Sequence, residues 1–137
     1  DAYPGVNAVQ LMALRDPPDE RGRELLPVVI YSARRRVLGG GNYWDHATLF
    51  ELAALARDRD AATKHLADAL ATHPQGWMRE TTADTVRRLR DAGARVGSTE
   101  RWLEELEREL RGTAAERPRA EDRKKRAIAG RRGTVAR

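Results

Sequence analysis

Cysteine is absent from this chain of 137 residues, so neither a disulfide framework nor a thiolate metal site can form. Aromatic residues are scarce: three Trp, three Tyr and one Phe. The core must therefore be built largely from Ala and Leu, a mixture that suits helices packed through small residues. No apolar run approaches the roughly 20 residues that span a bilayer, and no secretory signal opens the chain, which predicts a cytoplasmic protein. The first residue is Asp1 rather than methionine, as expected of a piece of a longer chain. Lysine occurs only as Lys64, Lys124 and Lys125. That scarcity beside abundant Arg and Ala points to a GC-rich bacterial source.

The net charge of +5 is distributed unevenly. Residues 113–137 carry nine basic residues against Glu116, Glu121 and Asp122, a net +6. The preceding 112 residues carry 17 basic and 18 acidic residues and are close to neutral. The C-terminal segment has only Ile128 and Val135 as large apolar residues and is broken by Gly and Pro. Burial there cannot offset the entropy of ordering, so a disordered basic tail is predicted after a helical domain over residues 1–112.

Apolar spacing predicts an all-α fold of about six helices. The first starts between Pro4 and Asn7, on either residue's helix-start chemistry, and is expected to be well buried. Asp16-Pro17-Pro18-Asp19 ends it. The second spans about residues 21–38, with Pro27 in its first turn, although Val28-Val29-Ile30-Tyr31 also reads as a strand. Gly39-Gly40-Gly41 is a loop. Helices three and four cover about residues 43–57 and 60–73. Helix five covers 81–92, with Gly93 as a left-handed stop. The sixth starts at a Ser98 or Thr99 cap and aligns Trp102, Leu103, Leu106 and Leu110. Glu104–Arg108 and Glu107–Arg111 are expected on its solvated side.

Leu49, Ala62, Ala69 and Pro74 fall at the spacing of a 34-residue tetratricopeptide (TPR) repeat beginning at Tyr43. The two alanines are the expected close contacts between paired helices, and Pro74 terminates the second. The unit is divergent, with Phe50 in place of the usual glycine and His46 in place of the usual tryptophan. A lone TPR hairpin cannot bury its apolar face, so antiparallel hairpins stacked as a short solenoid are expected. The TPR resemblance implies that Trp44, Ala47, Glu51 and Ala54 face a concave groove, with Trp44 as anchor and Glu51 as polar selector.

Three blocks stand out: Asp1-Ala2-Tyr3-Pro4-Gly5-Val6-Asn7-Ala8-Val9, Tyr43-Trp44-Asp45-His46-Ala47-Thr48-Leu49 and Thr82-Ala83-Asp84-Thr85-Val86-Arg87-Arg88-Leu89. Together they resemble the TRAF-binding domain family. That family is the TPR-like helical region of animal apoptosis signal-regulating kinases and of bacterial homologues. The resemblance covers about residues 1–93 and matches the C-terminal part of the family's region. It implies a helical scaffold that regulates a neighbouring signalling domain through protein contacts, with no catalysis and no cofactor. Tyr3, Pro4, Gly5, Asn7, Tyr43, Trp44 and Thr48 carry the signature. Packing and capping are the simplest roles for them. Gly5 and Ala8 allow close approach, and Asn7, once buried, ties backbone ends together.

Sharper chemistry finds little footing in the residues. His46, His65 and His73 do not fall in a zinc spacing such as HExxH. The triple glycine lacks a following Lys-Ser/Thr, so it does not read as a phosphate cradle. Ser32 and Ser98 suggest no Ser-His-acid set. The acids Glu104, Glu105, Glu107 and Glu109 read as a solvated face. Two functional classes remain. One is a protein-interaction scaffold with no catalytic residue, metal or cofactor. The other is a polyanion or nucleic-acid binder acting through Arg123, Lys124, Lys125, Arg126, Arg131 and Arg132. The tail has no aromatic residue for base stacking, so such binding would be phosphate-driven and non-specific.

Overall fold

The structure, a computed structural model, describes residues 3–95, 97 and 100–112. Residues 113–137, with the expected basic tail, and the expected Ser98 and Thr99 caps lie outside the described residues. The described residues form six α-helices and no strand. They are α1 Tyr3–Leu14, α2 Arg21–Val37, α3 Tyr43–Leu55, α4 Arg59–Leu70, α5 Gly76–Arg95 and α6 Arg101–Arg111.

Helices α1 and α2 pair where each offers a glycine to the other. A Cβ on Gly5 would sit 3.1 Å from Val29 Cγ2, and one on Gly22 would sit 3.1 Å from Met12 Cβ. Gly5 meets the middle of α2 while Met12 meets its start, so the two helices run antiparallel. The close approach expected of Gly5 is therefore present. Asn7, in contrast, is exposed in the middle of α1 and does not tie backbone ends together. Nor is α1 buried all round. Val6 and Val9 face the core, while Leu11 points away and is 66% exposed.

Residues 28–31 are helical, which removes the strand alternative. Pro27 lies within the second turn of α2 rather than the first, because the helix already starts at Arg21. Before it, the Asp19 carboxylate accepts the Arg21 backbone N–H at 3.1 Å and its guanidinium at 2.7 Å. Those bonds hold the Asp19 pKa down at about 2.

Asn42 starts α3 with a capping box. Its side chain accepts the Asp45 N–H at 3.1 Å, and Asp45 Oδ2 accepts the Asn42 N–H at 3.1 Å. The α3–α4 turn satisfies the last carbonyls of α3 through Arg57, which adopts a left-handed φ of 57°, and through Asp58 N–H to Ala53 O at 3.0 Å. The Asp58 carboxylate then caps α4 by accepting the Ala61 N–H. Ala62 and Ala69 are fully buried where the repeat register puts its close contacts, and α4 stops before Pro74.

Two expectations for the last hairpin fail. Helix α5 starts five residues early and runs straight through Gly93, which is buried and helical. The left-handed glycine of this turn is Gly97, with φ 76°. Glu107 is not on a solvated side either. It is buried between α5 and α6, with Arg90 at 2.8 Å and Arg111 at 3.1 Å. Arg111 also reaches Asp84 at 3.0 Å, so an ion-pair chain stitches α5 to α6.

Helix α3 sits at the centre. Phe50, Ala53 and Ala54 pack with Leu66, Val86, Leu103 and Leu110 in the main core. Leu49 and Leu52, from its other side, pack with Val6, Val9 and Ala33 of the first hairpin. An element apolar on several sides is one that neighbours surround. The hairpins also meet beyond their sequence neighbours. Helix α1 packs against both α3 and α5, and Arg95 at the end of α5 donates to Leu14 O at 3.1 Å.

Candidate partner-binding face

Helix α3 packs against both α1 and α5, and these contacts carry two features. The first is aromatic. Tyr43 opens α3 and is buried against Ala47 and Ala69. Its hydroxyl lies 2.8 Å from Thr82 Oγ1 and donates to Met78 O at 3.2 Å, so it clamps α3 to α5. Burial pushes the Tyr43 pKa up, and the Thr82 hydrogen bond partly opposes this. Trp44 packs edge-on against Tyr43 at 5.1 Å between ring centroids, and Trp77 of α5 tilts against Trp44 at 5.8 Å. Trp77 is 59% exposed, with its indole N–H bonded to Gln75 at 2.7 Å. The result is a two-tryptophan surface seated on a hydrogen-bonded base.

The second feature is polar. Gln10 of α1 donates to Glu51 Oε2 of α3 at 2.6 Å. Glu51 is half-buried, and its carboxyl is desolvated between α1, α3 and α5. Desolvation is the main cause that raises its pKa to about 7. The Gln10 amide, the Arg88 charge and the Thr85 hydroxyl oppose the rise. The carboxyl thus ties α3 to α1 on the side that faces α5. At neutral pH it stands near the midpoint of its titration.

The four groove positions expected on α3 are not equivalent. Ala47 and Ala54 are buried core residues and present no surface to a partner. Trp44 is half-buried and contributes to the aromatic surface. Glu51 faces α1, yet its carboxyl is engaged internally with Gln10. Of the signature residues, Tyr43 is a buried clamp, Thr48 is half-buried, and Pro4 and Asn7 are exposed on α1. The side chain of Tyr3 lies outside the described residues, as do the six basic positions of the tail.

Trp77 was not singled out by the sequence, Gln10 was read only as a possible capping partner of Asn7, and Thr82 and Thr85 entered only within the third block of resemblance, with no role of their own. A signal existed for the α5 residues: Trp77, Thr81, Thr85 and Arg88 recur at helical spacing once the helix is allowed to begin at Gly76. Gln10 carried no such signal, because its partner Glu51 is 41 residues away. Among the described residues, no group of three His, Asp or Glu is arranged to hold a metal ion. None of the described helices is long and apolar enough to cross a membrane. No family model, curated protein or solved structure matches the chain.

Proposed function

We propose that this chain is a non-catalytic helical scaffold of a bacterial signalling or stress-defence protein, one that holds a protein partner on the face where α3 meets α5. The observation that carries the reading is the exposed Trp77 against Trp44. A large aromatic left in water costs solvation free energy, and interface hot spots are enriched in Trp on rigid supports. Here the support is the Tyr43–Thr82 clamp. A TPR-like stack of hairpins in a short solenoid fits the buried Ala62 and Ala69, and the resemblance to the TRAF-binding domain family points the same way. Affinity capture from the source lysate with wild type and Trp77→Ser tests it. The expected result is loss of at least one captured protein with helicity unchanged. Equal capture by both would remove the main support for this face.

A second reading rests on the charge asymmetry. The net +6 of residues 113–137 supports weak binding to polyanions through phosphate contacts. Its signature would be affinity for heparin or single-stranded DNA that falls steeply between low and physiological salt.

A further inference from the structure

Among the described residues, five of the six exposed large hydrophobics lie on the first hairpin, and four of them are on or directly after α2. The core side of α2 is spent: Leu26, Val29, Ile30, Ala33 and Val37 pack towards α1 and α3. On the opposite side, Glu24, Val28, Tyr31, Arg35 and Leu38 follow one another at intervals of four, three, four and three residues. That spacing draws a straight seam along a helix, as in paired helices. Val28 is 64% exposed, Tyr31 62% and Leu38 83%, and Arg35 lies over the Tyr31 ring at 6.0 Å. Glu24 is the sole acid on α2.

We infer that this seam pairs with the same seam of a second copy, the two α2 helices crossing antiparallel about a two-fold axis between Val29 and Ile30. Such an axis makes each contact occur twice. It places Glu24 opposite Arg35 of the partner subunit, Val28 opposite Tyr31 of the partner subunit, and the Arg21 stem opposite Leu38 of the partner subunit. Both charges of the seam are thereby matched, and its apolar residues meet apolar surface. A parallel pair would instead set Glu24 against Glu24 and Arg35 against Arg35. Within one helix the two charges are about 16 Å apart, from a rise of 1.5 Å per residue, so they cannot satisfy each other. Arg21, Arg23 and Arg36 already pair with Asp19, Glu20 and Asp45, so Glu24 and Arg35 are the charges the seam offers, and a second copy matches both.

Charge exchange tests this on the full chain. Sedimentation equilibrium across a concentration series should show a reversible dimer for wild type. Glu24→Arg and Arg35→Glu should each weaken it at least roughly tenfold, since each creates two like-charge contacts. Mixing the two variants should give a heterodimer as tight as wild type, because every contact is then matched. The double variant Glu24→Arg/Arg35→Glu should recover the homodimer. A wild type that stays monomeric to several hundred micromolar overturns the proposal. So do single variants that dimerise normally, or a mixture that does not associate. Circular dichroism of each variant separates lost pairing from lost folding, and the mixture rescues only if both chains are folded.

Discussion

At the scale of single residues, Glu51 shows how a side chain can serve structure and titration together. An ordinary glutamate value of 4.5 describes the unfolded chain, against about 7 in the folded one. The folded state holds the proton more tightly. The stability this contributes is complete below pH 4.5 and is lost as pH rises through about 7. Glu51→Gln cannot ionise and keeps an acceptor for Gln10. It should match wild type near pH 4 and exceed it at pH 8 by on the order of 1–3 kcal/mol, because each tenfold change in proton affinity is worth roughly 1.4 kcal/mol. Urea denaturation at the two pH values measures this, and an equal difference at both would contradict the assignment. Ala69 is the complementary case, a position defined by lack of volume. It is buried with Tyr43 and Ala47. Ala69→Leu should overpack that contact and lower stability by about 1–3 kcal/mol. An unchanged melting temperature would show that α3 and α4 are not in close register.

At the scale of elements, the helices are placed by their ends. Asn42 and Asp45 bond each other's backbone and so fix where the triple-glycine loop stops and α3 begins. Asn42→Ala should cost about 1 kcal/mol, the usual worth of such a cap, and Asn42→Ser should recover most of it. Thermal melts of the two variants read the difference, and equal melting points would make the cap dispensable. The α5–α6 hairpin shows the opposite influence, of packing over local propensity. Glycine commonly ends helices by its left-handed freedom, which is why Gly93 read as a stop. Here it is buried beside Ala92 in an unbroken α5, and the chain turns at Gly97. Glu107 likewise left the solvated face that its i,i+4 partner suggested, because Arg90 across the hairpin supplied a second cation.

At the scale of the whole molecule, α3 is shared. It supplies Phe50 to one cluster and Leu49 and Leu52 to the other, and α1 reaches past it to α5. A one-dimensional array, in which each repeat touches only its neighbours, would unfold in stages. Contacts that close across the array favour a single transition. Tryptophan fluorescence, reporting Trp44, Trp77 and Trp102, should therefore follow the same denaturation curve as far-UV circular dichroism. Separated midpoints would mean the hairpins are energetically independent.

The order of six helices among the described residues was legible in the sequence because it rests on short-range rules. Apolar spacing, Pro74 after α4 and the alanine positions act within one or two turns and need no knowledge of neighbours. The packing of α4 on α3 was partly legible for the same reason: Leu49, Ala62 and Ala69 sit at repeat spacing. The proposed binding face was not. Whether Ala47 and Ala54 meet a partner or the core depends on what lies across from them, and helices α4 to α6 fill that space. The Gln10–Glu51 bond and the Trp44–Trp77 contact join residues distant in sequence, and no local pattern encodes such a pairing. Sequence determined which helices form. Only tertiary packing decided which of their faces stay open to water, because burial depends on the neighbours that each helix finds.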